Sequence, residues 1–203
     1  MMHLAAVRHL RRADPVLRRV IERVGPCRFG RITDHTHFHH LARAIAYQQL
    51  SSKAAATIFG RVVALCGAPL EPDAVLARTE KQLRAAGLSS QKSRYIRDLA
   101  VRTRAGSLPF DQVEFLSDDE VIAALTQVKG IGLWSAQMFL MFRLGRPDVL
   151  PVLDLGIRKG VQKAYGMRSL PSEKRLRKIA EPWSPHSTVA CWYLWRSLDG
   201  PAS

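Results

Sequence analysis

Helix-starting and helix-ending residues recur along the whole of this chain, and they leave little room for anything but helices. Asp14-Pro15 has the form of a cap followed by a first-turn proline, and Gly25-Pro26 closes the segment it opens. Thr36 is placed to cap His37 to Tyr47, and Ser51 or Ser52 a long segment to Cys66 and Gly67. Thr79-x-x-Gln82 and Ser117-x-x-Glu120 have capping-box form, the first stopping at Gly87 and the second leading Val121 to Gln127. Ser89 or Ser90 opens Gln91 to Arg104, which ends at Gly106. Gly132 to Leu144 follows. Asp154 opens a segment to Tyr165, and two more run from about Ser172 to Glu181 and from Ser187 to Leu198. Within these segments apolar residues return every three or four positions, as in Val121, Leu125 and Val128, and strict alternation is nearly absent. The stretches near 67–72 and 106–111 read as loops, and no fixed-period repeat suggests a solenoid. The chain is expected to be all-α.

Charge narrows the partners. Lys+Arg number 31 against 17 Asp+Glu, a formal net charge of +14, and a field that positive favours nucleic acid, with an anionic membrane surface second. No stretch reaches the roughly 20 apolar residues of a membrane span; the best run, Ala136 to Phe142, is far too short. Met1 to Arg12 is interrupted by arginines and lacks the apolar centre of a secretory signal. Cys27, Cys66 and Cys191 lie far apart and never form a Cys-x-x-Cys pair, which argues against a disulfide scaffold, a zinc ribbon or an iron–sulfur cluster. These features together read as a soluble intracellular protein, cytoplasmic and nucleoid-associated if bacterial.

Two stretches carry chemistry. In Leu125-Thr-Gln-Val-Lys-Gly-Ile-Gly-Leu-Trp-Ser-Ala-Gln-Met138, Gly130 and Gly132 bracket one apolar residue between two helical segments. Glycines there serve a plain helix–helix turn, and they equally allow a backbone phosphate to approach the amides of the second helix. Asp154 follows an apolar extended piece, Pro147 to Leu153, and precedes a helical one. It is placed to be an N-cap, and also to be a carboxylate that stabilises an oxocarbenium-like sugar or orients a water. The two roles are compatible.

Taken together, these stretches resemble the helix–hairpin–helix DNA glycosylase superfamily, in which a Gly/Pro-rich segment precedes a catalytic aspartate. Ala44-Ile-Ala-Tyr-Gln-Gln-Leu-Ser-Ser-Lys-Ala-Ala56 is similar to the family's duplex-invading segment. Gly87-Leu-Ser-Ser-Gln-Lys-Ser-Arg-Tyr-Ile-Arg-Asp-Leu-Ala100 is similar to its following loop and helix. Trp183-Ser-Pro-His-Ser-Thr-Val-Ala-Cys-Trp-Tyr-Leu-Trp195 resembles the closing helix of the 3-methyladenine DNA glycosylase II branch. The likeness covers about residues 36 to 198.

The resemblance implies two helical lobes with a DNA-binding cleft: residues 36–156 as a barrel carrying the wedge and hairpin, residues 1–35 plus 157–203 as the second lobe. It makes Asp154 the catalytic residue, Gln49 and Leu50 the candidates to fill the gap left by a flipped base, and Lys129, Gly130, Ile131 and Gly132 the DNA-binding hairpin. Trp134, Tyr47 and Trp183 are the candidate walls of a base pocket; Trp192 and Trp195 read as core. Trp134 stands where bifunctional members carry a nucleophilic lysine, so a monofunctional enzyme is expected, with no catalytic cofactor and no iron–sulfur cluster. The carbonyls of Thr126, Val128 and Ile131 match positions that hold a structural Na+ or K+ in the family. His35, His37, His39 and His40 lack the partners of a zinc site. Residues 1–35 read as helical, so the β-rich N-terminal domain of longer bacterial members is not expected here. The expected partner is damaged double-stranded DNA, met by a monomer that releases 3-methyladenine or 7-methylguanine. A mismatched- or oxidised-base glycosylase, and a non-catalytic damage-binding protein, remain open at this point.

Overall fold

A computed structural model describes residues 3–199. In chain order its helices are α1 (Leu4–Ala13), α2 (Pro15–Val24), α3 (His37–Tyr47), α4 (Ser52–Cys66), α5 (Pro72–Leu76), α6 (Glu80–Ala85), α7 (Ser90–Arg104), α8 (Asp118–Leu125) and α9 (Leu133–Met138). A π-helical segment (Phe139–Leu144) follows, then α10 (Leu155–Ala164), α11 (Glu173–Ala180), a 3-10 turn (Glu181–Trp183) and α12 (Ser187–Arg196). No strand occurs among the described residues. The expected caps are in place: Thr36, Ser51, Ser89 and Ser172 each accept a backbone N–H three residues on. Thr79 with Gln82 and Ser117 with Glu120 form complete capping boxes. Two details depart from expectation. The 67–72 loop leads into a one-turn helix, α5, opened by Pro72, and the helix expected over 132–144 widens into a π turn at Phe139.

The chain divides into two compact units, one of residues up to Arg31 with those from Leu140 onward, the other Ile32–Phe139. The division after Phe139 puts Asp154 with the N- and C-terminal helices rather than in the expected 36–156 barrel. Its side chain bonds to the Trp195 indole of α12, which belongs to the same unit.

In the unit 32–139, α7 is the central helix, packed against α3, α5 and α6. Phe38, Leu41, Ile45, Val62, Leu70, Leu83, Ile96 and Leu99 are buried there, each contributing about 2 kcal/mol of apolar burial. The buried His39 ring belongs to this core: its Nδ1 accepts the Leu70 N–H at 3.0 Å.

The discontinuous unit is organised around a buried carboxylate. Asp14 Oδ1 caps α2 by accepting the N–H groups of Val16 (2.8 Å) and Leu17 (2.9 Å). Its Oδ2 accepts the Trp183 indole N–H at 2.8 Å and the Tyr165 hydroxyl. Burial, followed by these bonds to Asp14, pushes the Tyr165 phenol well above its usual range, so it stays a donor. One carboxylate thus ties the α1–α2 corner to the end of α10 and to the turn before α12. Replacing Asp14 with Ala removes a cap and strands two aromatic donors, and should cost about 3 kcal/mol in urea unfolding. A loss under about 1 kcal/mol would show that Asp14 is not this unit's fastening point.

Candidate functional site

The hairpin between α8 and α9 is closed by short-range bonds. Val128 N–H donates to the Leu125 carbonyl (3.1 Å), and Ile131 N–H to that of Val128 (3.0 Å). Val128 and Ile131 are buried, whereas Lys129 and Gly132 are exposed. The two glycines have different reasons to be glycine. Gly130 has φ 87°, and a Cβ on it would lie 2.1 Å from Tyr95 Cδ2. Gly132, the N-cap of α9, has φ −96° and ψ 179°, and nothing lies within 4 Å of where its Cβ would be. The first glycine is demanded by the fold. The second leaves open space above the backbone.

The helix beneath the hairpin fixes it. Asp98 Oδ2, on α7, accepts the Lys129 N–H at 2.9 Å, and Tyr95 lies against Gly130. Arg94 and Arg97 of α7 line a surface groove with Lys129, as do the acidic Glu80 and Asp98.

The segment between α3 and α4 is the second exposed element. Gln49 is held at φ 57°, uncommon for a residue of its type, and both Gln49 and Leu50 are exposed. Outliers of this kind persist where the surroundings impose them. Here Lys92 of α7 does so: its Nζ donates to the carbonyls of Ala46 (2.9 Å) and Gln48 (2.6 Å). Burial lowers the Lys92 ammonium below its ordinary pKa. The Gln48 side chain donates to the Gly130 carbonyl at 2.8 Å.

Behind this segment lies a cavity of about 470 Å³ within the same unit. Its walls are His40, Leu41, Ala44, Tyr47, Gln48, Gln49, Trp134, Ser135, Met138 and Phe139, with no carboxylate and no lysine among them. Trp134 is 49% exposed, unusual for so large an apolar ring. One face of Tyr47 is taken by the Arg43 guanidinium, 4.1 Å from the ring centroid. Two of the expected pocket residues, Tyr47 and Trp134, therefore come together. Trp183 does not. It is wholly buried in the other unit with its indole N–H on Asp14, so it is a core residue there and not a pocket wall.

Asp154 caps α10. Its Oδ1 accepts the Ile157 N–H at 2.7 Å and the Trp195 indole N–H at 2.9 Å. Trp195, expected as plain core, is half-buried and stacks on Phe142 with centroids 5.9 Å apart. A Cβ at position 156 would lie 2.8 Å from Trp195 and 3.1 Å from Asp154 Oδ1, so Gly156 lets the indole reach the carboxylate. Leu153 and Leu155, on either side, are both more than half exposed. The preceding loop is bolted to α12 by Asp148, which accepts from Ser184 Oγ (2.6 Å) and from the Ser187 N–H (3.0 Å) and Oγ (2.5 Å). Partial burial works to raise the Asp148 carboxyl, but the bonds from Ser184 and Ser187 outweigh it and hold it below its ordinary pKa. Cys191 is fully buried, and burial, then the fields of Asp154 and Asp148, push its thiol far above its ordinary pKa. Among the described residues no group of His, Cys, Asp and Glu is arranged to hold a metal ion.

Sequence reasoning passed over Gln48, Lys92, Tyr95, Asp98 and Trp195. Only the spacing of Lys92, Tyr95 and Asp98 along one side of α7 was a usable signal.

An open glycine hairpin beside an exposed, strained loop, both mounted on one helix of an all-helical unit, defines the helix–hairpin–helix class. The comparisons are specific within it. The family of HhH-GPD superfamily base excision DNA repair proteins matches residues 42–185, and this chain belongs to that family. DNA-3-methyladenine glycosylase 1 of Schizosaccharomyces pombe is 36% identical over 193 residues, 93% of this chain and 85% of the relative. The solved structure of S. pombe 3-methyladenine DNA glycosylase (Mag1) in complex with abasic DNA superposes with a TM-score of 0.84 at 35% identity, covering 94% of this chain and 95% of that one. That of a Bacillus halodurans DNA-3-methyladenine glycosidase gives 0.86 at 39% identity, covering 94% and 87%.

The contrast between the two hairpin glycines is measurable. Gly130→Ala meets both an unfavourable φ and the Tyr95 ring, and should cost about 2 kcal/mol or more. Gly132→Ala should cost only about 1 kcal/mol, the difference between glycine and alanine as an N-cap, with no clash to add to it. Urea unfolding of both variants tests this, and equal losses would contradict the assignment.

Proposed function

We propose that this chain is a monofunctional DNA glycosylase that hydrolyses the N-glycosidic bond of alkylated purines, 3-methyladenine and 7-methylguanine, in duplex DNA and leaves an abasic site. The observation that carries the reading is the cavity behind the 47–51 segment, apolar and aromatic, with Trp134 half exposed at its wall. A base reaches such a pocket only by leaving the stack, at a cost of a few kcal/mol that a damaged pair lowers. Gln49 or Leu50 fills the gap. Phosphate contacts at Lys129 to Gly132, beside Arg94 and Arg97, hold the duplex in register.

The pocket suits a cationic base. Alkylation at a ring nitrogen leaves the purine electron-poor and positively charged, and an indole face attracts it by cation–π interaction. The same charge weakens the bond to be broken. When it cleaves, the bonding electron pair stays on the purine nitrogen and neutralises the base, so the leaving group needs no general acid. What remains is a sugar with oxocarbenium character, which needs a nearby negative charge and a water. Asp154 supplies the carboxylate, its Oδ1 already held by the Ile157 N–H and the Trp195 indole. Water adds at C1′, and its proton passes to the carboxylate or to solvent. No lysine lines the pocket to form a covalent imine.

A cation belongs to the same reading. Thr126 turns its hydroxyl back onto the Ile122 carbonyl at 2.7 Å, so its own contribution to an ion is its backbone carbonyl. With the carbonyls of Val128 and Ile131 it forms a neutral set of hard oxygen donors, which fits Na+ or K+ better than a transition metal. When bound, the ion would add positive charge facing a DNA phosphate.

Asp154→Asn should abolish base release from methylated duplex in single-turnover assays while keeping affinity for an abasic-analogue duplex, or tightening it by removing charge near phosphate. Release within about tenfold of wild type would remove Asp154 from the chemistry.

A further inference from the structure

The 47–51 segment and the hairpin are far apart in sequence, yet they are joined by one side chain. Gln48 follows the last residue of α3 with extended backbone (φ −54°, ψ 132°), and its side chain is half-buried rather than directed to solvent. Its Nε2 donates to the Gly130 carbonyl at 2.8 Å. Gly130 is the hairpin residue whose position Tyr95 dictates, and the Gln48 carbonyl is itself held by Lys92 at 2.6 Å. Lys92, Tyr95 and Asp98 thus brace the two elements from below, while Gln48 ties one directly to the other.

We infer that Gln48 is a positioning residue that locks the 47–51 segment to the hairpin, so that phosphate capture at the hairpin and insertion of Gln49–Leu50 occur as one event. The inference rests on the glycosylase reading above. Insertion into a duplex demands placement to within a fraction of an ångström, and a loop with one residue at φ 57° has conformations to escape to. A donor aimed at the hairpin backbone removes that freedom where the duplex is gripped. Because Gln48 also lines the cavity, a direct contact with the base is the competing role, and the two give different results.

The test uses a duplex with one tetrahydrofuran abasic analogue and a neighbouring 2-aminopurine, whose fluorescence rises when insertion unstacks it. Gln48→Met keeps length and apolar contact but loses the donor. It should slow insertion about tenfold, the worth of one hydrogen bond, while affinity for an undamaged duplex stays within about twofold. Gln49→Ala should be costly in the wild-type background and nearly silent beside Gln48→Met, the non-additivity expected of residues acting as a unit. Gln48→Glu, which sets an acceptor against the same carbonyl, should reproduce the defect and serves if Gln48→Met does not fold. Insertion at the wild-type rate in either variant, or strictly additive effects of Gln48→Met and Gln49→Ala, would overturn the coupling. A wild-type protein that releases no methylated base and gives no fluorescence change would overturn the glycosylase reading, and the coupling with it.

Discussion

One side of α7 carries both the 47–51 segment and the glycine hairpin. Lys92, Tyr95 and Asp98 sit three residues apart, a slanting stripe along the helix. Each meets the backbone of a loop, while Asp98 also pairs with Arg102 and Tyr95 with Gln91 on α7 itself. Lys92 satisfies two carbonyls left over where α3 ends, Asp98 takes the Lys129 amide, and Tyr95 fills the space that any residue but glycine at 130 would claim. Loops fixed through their backbones can vary the side chains they present without losing position, which is what the proposed insertion and phosphate-binding roles would require. The energetic source is ordinary: carbonyls orphaned at a helix end must find partners, and α7 provides them.

The other unit uses carboxylates in the same way. Asp14, Asp148 and Asp154 each cap a helix or a turn and also draw in a donor from a distant element. In a chain of net charge +14, these acids accept from backbone N–H, indole and hydroxyl groups. Asp154 differs from the other two in its setting, since it is flanked by two exposed leucines and reached by an indole through the space left by Gly156. The same bonds that make it a good cap also hold its carboxylate in one orientation, so structure and proposed chemistry do not compete for it.

How much of this was legible in the sequence follows the range of the interactions. Caps act over three residues, so Thr36, Thr79, Ser117 and Asp154 announced their helices correctly, and Gly130 and Gly132 announced a turn. What the sequence could not reveal is which distant group meets which. The indole of Trp183 stands in a stretch that resembles a family motif, yet its partner is Asp14, 169 positions away, and that bond makes it core. Trp195 looked like one more apolar helix residue, and its role comes from a carboxylate 41 positions back. Gln48 looked like the less interesting of two adjacent glutamines until Gly130 appeared 82 residues on. The short helix α5 escaped notice because five residues carry too little periodicity to read.

The central claim, hydrolytic release of a cationic purine without a lyase step, is tested most directly on a dimethyl sulfate-treated duplex. Chromatography of the supernatant should show free 3-methyladenine and 7-methylguanine. The DNA strand should stay intact until alkali breaks it at the abasic sites. Absence of released base, or strand cleavage without alkali, would contradict the account.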